Sequence, residues 1–485
     1  MSYLELLRLA SPEAVLVVAV LAILTIGHAN ARAAVLPAIV ASFGLAFSAV
    51  AILLLPQHAT FGGGMLVVSP LNSLFKIVCL TLAFFTVLLA HGDHRMRQHH
   101  AEYLAMILLG TIGLLLLVGS EELLTIFIGL ELTGLSLYVL TAFDKNDRRS
   151  AEAGLKYFLF GSTASAFTLF GLSLIYGMAG TTTLAGIGER LATAPAAPLL
   201  GAGIVMTLVG FAFKIAAAPF HLWVADTYQG APIPSAAFVA SGSKVASFVV
   251  LGKITLISLA PMHGSAAWHA MLAGWMPLLA GLAAFSILIG NFVALAQTNV
   301  RRLLAYSAVA HAGYTLLGLI AGGRDGFSAT LFYTSIYAVT LLGAFGVVAM
   351  VRRETGGDDL ADFAGLRSRS PLLAGCMAIF MLSLAGLPPL AGFFGKFYLF
   401  SAALRTGENH GLLWLVVLAL FGSLVSLYYY LIVLKRIFVD QSEVTPRPAE
   451  TDWLQRATVA VLAAAVVLLG VLPSLLVSRI AAALP

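Results

Sequence analysis

The chain has 485 residues, 60% of them hydrophobic and 10% charged, with a mean hydropathy of +0.97. A soluble globular domain carries about 25% charged residues, so a water-soluble fold of this length would lack the polar surface to cover itself, and the bilayer is the solvent that fits. The net charge of +5 is not a nucleic-acid signature, because the basic residues sit in short loops between apolar runs.

Apolar residues run from about Ala14, and the following His28-Ala-Asn-Ala-Arg-Ala imitates a signal-peptide cleavage site. Glu5 spoils a positive amino-terminal region and the next apolar run starts at once, so a first membrane helix is the better reading. A crossing needs about 20 apolar residues. Spans are expected near 12–28, 33–54, 71–90, 101–119, 122–142, 153–177, 197–218, 235–257, 271–296, 302–321, 326–351, 371–403, 411–434 and 457–478. The fold class is therefore all-α, a polytopic membrane protein with about 14 transmembrane helices. The longest breaks, near 178–196, 219–234, 352–370 and 435–456, hold no soluble domain.

Lys and Arg set orientation. Odd-numbered loops carry Arg32, Arg95, Arg97, Lys145, Arg148, Arg149, Arg301, Arg302, Arg352, Arg353, Arg367, Arg369, Lys435, Arg436, Arg447 and Arg456. Even-numbered loops carry only Arg190, Arg324 and Arg405. The odd loops should face the cytoplasm and both termini the periplasm. The histidine-rich run from His91 to His100 reads as a solvated loop rather than a metal site.

A charge at the centre of a membrane helix costs about 2.5–3.5 kcal/mol or more. Four such residues stand in apolar surroundings: Glu131, Lys214, Lys244 and Lys396. An ion pair of Glu131 with Lys214 that only locks helices is one reading, but a single glutamate cannot neutralise three lysines. Burial and a nearby carboxylate act on a lysine in opposite directions, so a proton can come and go, as a relay requires. Lys156, near a helix start, is either a relay member or a snorkelling residue. Lys76 and Lys253 lie nearer helix ends and read as snorkelling. His221 and His311 are switch candidates or hydrogen-bonded packing residues.

Two helices should be broken. Pro219 follows Lys214 by little more than a turn, and the stretch to Pro234 is too polar and proline-rich for a plain span. Ala385-Gly-Leu-Pro-Pro-Leu-Ala-Gly392 interrupts an apolar run just before Lys396. A broken helix beside a buried lysine in each half points to an inverted-repeat transporter. The expected division is three helices in 1–100, a first five-helix repeat in 101–258, a second, inverted one in 271–437, and a last helix in 455–485.

Cys79 and Cys376 are the only cysteines, and there is no C-x-x-C, G-x-G-x-x-G or P-loop motif. The chain cannot by itself hold an iron–sulfur cluster or a structural zinc, and any nucleotide or redox cofactor belongs to partner chains.

Five motifs carry a resemblance. They are Pro219-Phe-His-Leu-Trp-x-x-Asp-x-Tyr-Gln-Gly-Ala-Pro232, Ser243-Lys-Val-Ala246, Gln297-Thr-Asn-Val-Arg-Arg-Leu-Leu-Ala-Tyr-Ser307 with His311-Ala-Gly-Tyr314, Leu384-Ala-Gly-Leu-Pro-Pro389, and Gly392-Phe-Phe-Gly-Lys-Phe-Tyr398. Over nearly its whole length the chain resembles the subunit N family of bacterial respiratory complex I, the counterpart of mitochondrial NADH dehydrogenase subunit 2. The segment 226–232 is similar to subunit N rather than to its antiporter-like paralogues, one of which typically has glutamate where Lys396 stands.

The resemblance implies a proton-translocating membrane-arm subunit of NADH-quinone oxidoreductase in a bacterial inner membrane. Glu131 and Lys214 would be a coupled acid–base pair, Lys244 a central relay and Lys396 the terminal carrier. His221 and His311 would help connect water chains, and Lys156 would lie near a neighbouring subunit. No cofactor is expected in this chain; NADH, FMN, iron–sulfur clusters and quinone would belong to partner subunits. The expected partners are other complex I membrane subunits, especially the adjacent antiporter-like and small ones, and lipid. A sodium/proton antiporter subunit and a non-pumping structural subunit are the alternatives.

Overall fold

A computed structural model describes residues 3–30, 35–91, 99–193, 197–406, 411–441 and 453–484. Arg32, Arg95, Arg97 and Arg447, used above for orientation, and most of the run from His91 to His100 lie outside the described residues.

The chain opens with α1 (Tyr3–Leu9), α2 (Ser11–Ala29) and α3 (Val35–Leu54), followed by a hairpin of β1 (Ala59–Phe61) and β2 (Leu66–Val68). Then come α4 (Pro70–Ala90), α5 (His100–Gly119), α6 (Leu123–Thr141), α7 (Arg148–Ala179), the short α8 (Leu184–Thr193), α9 (Pro198–Ile215) and α10 (Val224–Gly230). α11 (Ile233–Ala240) and α12 (Gly242–Lys253) run on into a π-helical turn, Ile254–Ser258. The second half holds α13 (Trp275–Leu295), α14 (Val300–Ala321), α15 (Gly323–Thr355), α16 (Leu366–Arg369), α17 (Pro371–Ala385), α18 (Ala391–Arg405), α19 (Leu413–Phe438), α20 (Trp453–Val471) and α21 (Ser474–Ala483).

Among the described residues thirteen stretches are long and apolar enough to cross a membrane, Ile233–Ser258 counting as one. α17 and α18 have 15 residues each, about 22 Å at 1.5 Å per residue, and neither spans the roughly 30 Å hydrocarbon layer alone. Joined across their break they form a fourteenth crossing, so the expected number holds. Pro473 ends α20 earlier than expected, because an interior proline removes a helix hydrogen bond, and α21 starts afresh behind it. The β-hairpin was not expected. It pairs Ala59 with Val68, Thr60 with Val67 and Phe61 with Leu66, and its turn is built from Gly62, Gly63 and Gly64, all at positive φ, which only glycine adopts without steric cost.

Helix starts follow local chemistry. The Ser69, Glu122, Asp147 and Asn299 side chains accept first-turn amides of α4, α6, α7 and α14, satisfying donors that a helix start leaves orphaned. Antiparallel neighbours meet through small residues. A Cβ on Gly290 of α13 would lie 2.5 Å from the Ala310 backbone nitrogen of α14, and one on Gly129 of α6 would lie 2.9 Å from that of Leu117 in α5. Such close backbone approach supplies packing where lipid offers no hydrophobic drive between helices.

The loops sort into two ends. Gly64 accepts from Glu121, Leu123 donates to Thr182, and Trp268 donates to Gly411, so the even-numbered loops join one another. Val300 donates to Asp358, Leu360 to Thr298, and Gly365 to Arg436, so the odd-numbered loops do the same. We refer to these as the hairpin end and the basic end. Between them the helix containing Lys244 is buried on all sides, as are nearly all of α14 and α15, while α2, α3, α7, α19 and α20 form the rim.

Candidate functional site

The first helix break comes where α9 ends in Ala216, at φ 64°. Ala217 donates back to Ala212 at 2.8 Å. Ala218 donates to Ser286 Oγ of α13 at 2.8 Å, and Trp223 Nε1 reaches the Phe213 carbonyl at 3.2 Å. Backbone groups freed by the break are thus satisfied from within the protein, as membrane depth requires. The second break follows the same plan. Gly386, at φ 85°, donates to Leu382 and Ser383, and Ser383 Oγ accepts from Gly392 at 3.2 Å.

Lys214 stands in the last turn of α9, and its ammonium fills the notch left by Gly134 of α6 beside the Tyr138 hydroxyl. The Tyr138 ring lies 5.9 Å from the ammonium. Glu131, Gly134 and Tyr138 share one face of α6 at helical spacing. Glu131 and Lys214 form no direct ion pair; the Glu131 carboxylate instead accepts from Ser165 of α7 at 2.5 Å. The Tyr138 hydroxyl has no hydrogen-bond partner among the described residues. A locked salt bridge is therefore not what the structure holds. The Lys214 ammonium and the unpaired Tyr138 hydroxyl both lie against Gly134, one turn along α6 from Glu131.

Lys244 is buried and donates to the Ala308 carbonyl of α14 at 2.9 Å. The Tyr337 ring of α15 lies 5.4 Å from its ammonium, and His311, one turn beyond Ala308, lies 4.8 Å from the same ring. Both His311 nitrogens are engaged. Nδ1 meets Tyr333 Oη at 2.7 Å, and Nε2 meets Tyr430 Oη of α19 at 3.0 Å. Tyr430 continues to Ser307 Oγ at 2.5 Å. On the far side, Lys396 donates to the Ala385 carbonyl at 3.0 Å and to Ser423 Oγ at 2.9 Å, so it folds back over its own helix break. The carbonyl end of α17, where the helix leaves backbone acceptors over, is a favourable place for a cation. The Tyr314 ring lies 5.2 Å from the Lys396 ammonium. Asn291 links Tyr314 Oη at 2.8 Å to Tyr429 Oη at 3.0 Å.

Among the described residues neither Lys244 nor Lys396 has a carboxylate within ion-pair distance. Two buried lysines served only by neutral groups, bracketing a histidine bonded to two tyrosines, form an array able to pass protons. A cavity of about 10 Å³ bounded by His311, Tyr337, Ser383 and Gly392 adjoins it, close to the threshold for one water molecule.

The remaining expected residues lie elsewhere. Lys156 is not buried: it forms ion pairs at 2.7 Å with Glu152 and with Asp226 of α10. Asp226 also meets Arg302 of α14 at 2.8 Å. Burial pushes the Asp226 carboxyl up, but the bonds from Lys156 and Arg302 outweigh it and hold it below its ordinary value. This cluster ties α7, α10 and α14 together, and a cavity of about 210 Å³ lined by Arg149, Glu152, Asp226 and Gln229 opens beside it. His221 is buried in the first break, 6.2 Å from the Tyr306 ring, and its Nδ1 has no partner among the described residues. Direct hydrogen bonds join it to none of the four central charges.

Two further lysines correct the sequence reading. Lys76 and Lys253 do not snorkel. Their side chains are 5% and 1% exposed, and they pair with Glu13 at 2.6 Å and Glu121 at 3.5 Å. The tyrosines were also missed. The signals were present: Tyr333 and Tyr337 one turn apart, Tyr314 three residues after His311, and the run Tyr428-Tyr429-Tyr430. A hydroxyl inside a bilayer needs a partner, so repeated tyrosines on one helix face suggest a polar seam.

Comparison with known proteins adds a family context. The family model described as NADH:quinone oxidoreductase/Mrp antiporter, TM, matches residues 120–426. NADH-quinone oxidoreductase subunit N 2 of Acidobacterium capsulatum is 47% identical over 98% of each chain. NADH-quinone oxidoreductase subunit N of Moorella thermoacetica is 40% identical over 79% of this chain and 78% of its own. Among solved structures, a chain of respiratory complex I from Thermus thermophilus with bound aureothin superposes with a TM-score of 0.80 at 34% identity, covering 97% of this chain and 100% of that one. A chain of the Mrp complex from Dietzia sp. superposes with a TM-score of 0.85 over 98% of this chain and 97% of its own, but at 20% identity that likeness shows the fold alone.

Proposed function

The chain belongs to the NADH-quinone oxidoreductase subunit N family, and from that premise we propose that its buried lysines are the path by which a proton crosses the membrane. It is an antiporter-like membrane subunit of the complex, involved in proton translocation. The observation that carries the path is the array in which the Tyr337 ring lies between Lys244 and His311 and the Tyr314 ring between His311 and Lys396.

Each group has a role its chemistry allows. Glu131 and Lys214 load the path, and a change in their separation sends the lysine's proton toward Lys244. Lys244 hands its proton toward His311. With a hydroxyl on each ring nitrogen, His311 accepts on one side and releases on the other. Lys396 receives the proton and gives it up when the contact with Ser423 changes. Redox chemistry on partner subunits supplies the drive, and NADH, FMN, iron–sulfur clusters and quinone belong there. Adjacent membrane subunits flank the rim helices, and Lys156 lies toward one of them. The two broken helices belong to inverted repeats, 101–258 and 271–437. The basic end faces the cytoplasm of a bacterial inner membrane and the hairpin end the periplasm.

A sodium/proton antiporter subunit is the weaker reading, because the subunit N relatives are 40–47% identical and the Mrp chain 20%. The test is His311→Leu in purified, reconstituted complex. Assembly should persist while NADH-driven acidification of the vesicles falls. Unchanged acidification would remove His311 from the path.

A further inference from the structure

At the hairpin end a second set of buried charges lies outside the path just described. Lys253 is on the same helix as Lys244, nine residues on, which at 1.5 Å per residue places it about 13 Å further along the axis. Its ammonium donates to Asn72 Oδ1 at 2.6 Å and the Val118 carbonyl at 2.8 Å. Glu121 Oε1 is 3.5 Å away, on a side chain that is 34% exposed. Asn72 stands one turn before Lys76 on α4. Lys76 pairs with Glu13 at 2.6 Å and packs against Gly119. The other Glu13 oxygen, Oε2, is buried with no partner among the described residues. Two acid–lysine pairs thus sit side by side, an inner one without outlet and an outer one beside the surface.

The outer pair has an outlet. Lys253 and Glu121 both line an open cavity of about 670 Å³ formed by the β-hairpin, the end of the Lys244 helix, the start of α15 and the end of α21. His58 and Arg324 are the other titratable or charged residues on its wall, and Arg324 is held by the Ala481 carbonyl at 2.6 Å. The helix changes character at this point. The π-helical turn Ile254–Ser258 begins immediately after Lys253, and such turns inside helices occur frequently at functional sites.

We propose that Lys253 and Glu121 form a proton-exchange pair connecting the Lys244 helix to the aqueous phase at the hairpin end, carrying a share of the protons that the Lys396 arm does not. The Lys253 ammonium gives a proton to the Glu121 carboxylate, leaving a neutral amine and a carboxylic acid. The acid then releases that proton to water in the cavity, and the amine is reprotonated from within the bundle. Asn72 and the Val118 carbonyl hold the lysine in place in both states. Neither Glu13 nor Lys76 lines the cavity, and their pair stays a fixed ion pair.

The proposal rests on the reading that this chain moves protons, so its test carries Lys396→Met alongside. Complex bearing Glu121→Gln, which keeps shape but cannot cycle a proton, is purified, checked for this chain and reconstituted. Protons moved per NADH oxidised are then measured. A lower ratio in Glu121→Gln than in wild type supports the exchange pair; a wild-type ratio overturns it. Lys253→Arg is the second variant: it keeps the charge and the bonds to Val118 and Asn72 but does not deprotonate. If it assembles, a lowered ratio supports the proposal, and a wild-type ratio shows a merely structural lysine; if it does not assemble, Glu121→Gln decides. A lowered ratio in Lys396→Met with a normal one in Glu121→Gln refutes the outer pair alone. Normal ratios in both refute the reading beneath it.

Discussion

Lys244→Met should remove proton transfer while leaving the fold nearly as stable as before. The ammonium makes one hydrogen bond, to the Ala308 carbonyl at 2.9 Å, and lies 5.4 Å from the Tyr337 ring. Losing a charged hydrogen bond costs about 1.5–3 kcal/mol, and losing a desolvated cation–π contact about 2 kcal/mol or more. Against this, methionine has nearly the same length and avoids a desolvation penalty of several kcal/mol for a buried ion. The opposing effects cancel to within about 2 kcal/mol. Lys76→Met makes the contrast. It strands the Glu13 carboxylate, buried and already short of a partner on Oε2, and should cost about 3–5 kcal/mol. The assay is thermal unfolding of this chain within purified complex, paired with dye quenching in proteoliposomes. Lys76→Met should unfold at lower temperature, and Lys244→Met should unfold normally and fail to acidify. If Lys244→Met unfolds as readily as Lys76→Met, or pumps normally, the assignment of Lys244 to the path is wrong.

Other outcomes follow from the same geometry. Tyr430→Phe removes the hydroxyl shared by Ser307 and His311; it should cost about 1–3 kcal/mol for each group left unsatisfied and slow proton uptake, measured by the same dye. Gly290→Leu would drive a side chain into the Ala310 backbone, 2.5 Å from the added Cβ, and should reduce assembled complex on native gels by separating α13 from α14. The Asp226 carboxyl lies below its ordinary value of 3.8 in the folded chain. The stabilisation it contributes is therefore present above that value and fades as pH falls through the lower, folded one. Asp226→Asn should flatten that acid limb in melting curves taken across the range, and an unchanged limb would show that Lys156 and Arg302 do not depend on it.

Much of the fold was legible because membrane helices advertise themselves. Apolar runs of bilayer length give the crossings, and Pro219 and Pro389 mark the two breaks because proline cannot continue a helix. The same logic exposes Glu131, Lys214, Lys244 and Lys396, since charge in an apolar run is rare. What a helix faces is not written in its hydropathy. Lys76 and Glu13 are 63 positions apart, and Lys253 and Asn72 are 181; only tertiary packing distinguishes such a pair from two snorkelling ends. Lys156 was ambiguous for the converse reason. Its partner Asp226 lies beyond the first break, and the turn there decides that the two meet. The tyrosines around His311 come from α14, α15 and α19, so no single segment shows the seam they build. The β-hairpin is too short and too glycine-rich to register as a strand pattern.

The central claim is that the buried lysines of this chain carry protons, and Lys396→Met tests it most directly. Protons moved per NADH oxidised should be measured in proteoliposomes holding fully assembled complex with this substitution. The account requires a ratio below wild type with this chain present at normal amount. A wild-type ratio would mean that protons cross without Lys396 and would contradict the path drawn here.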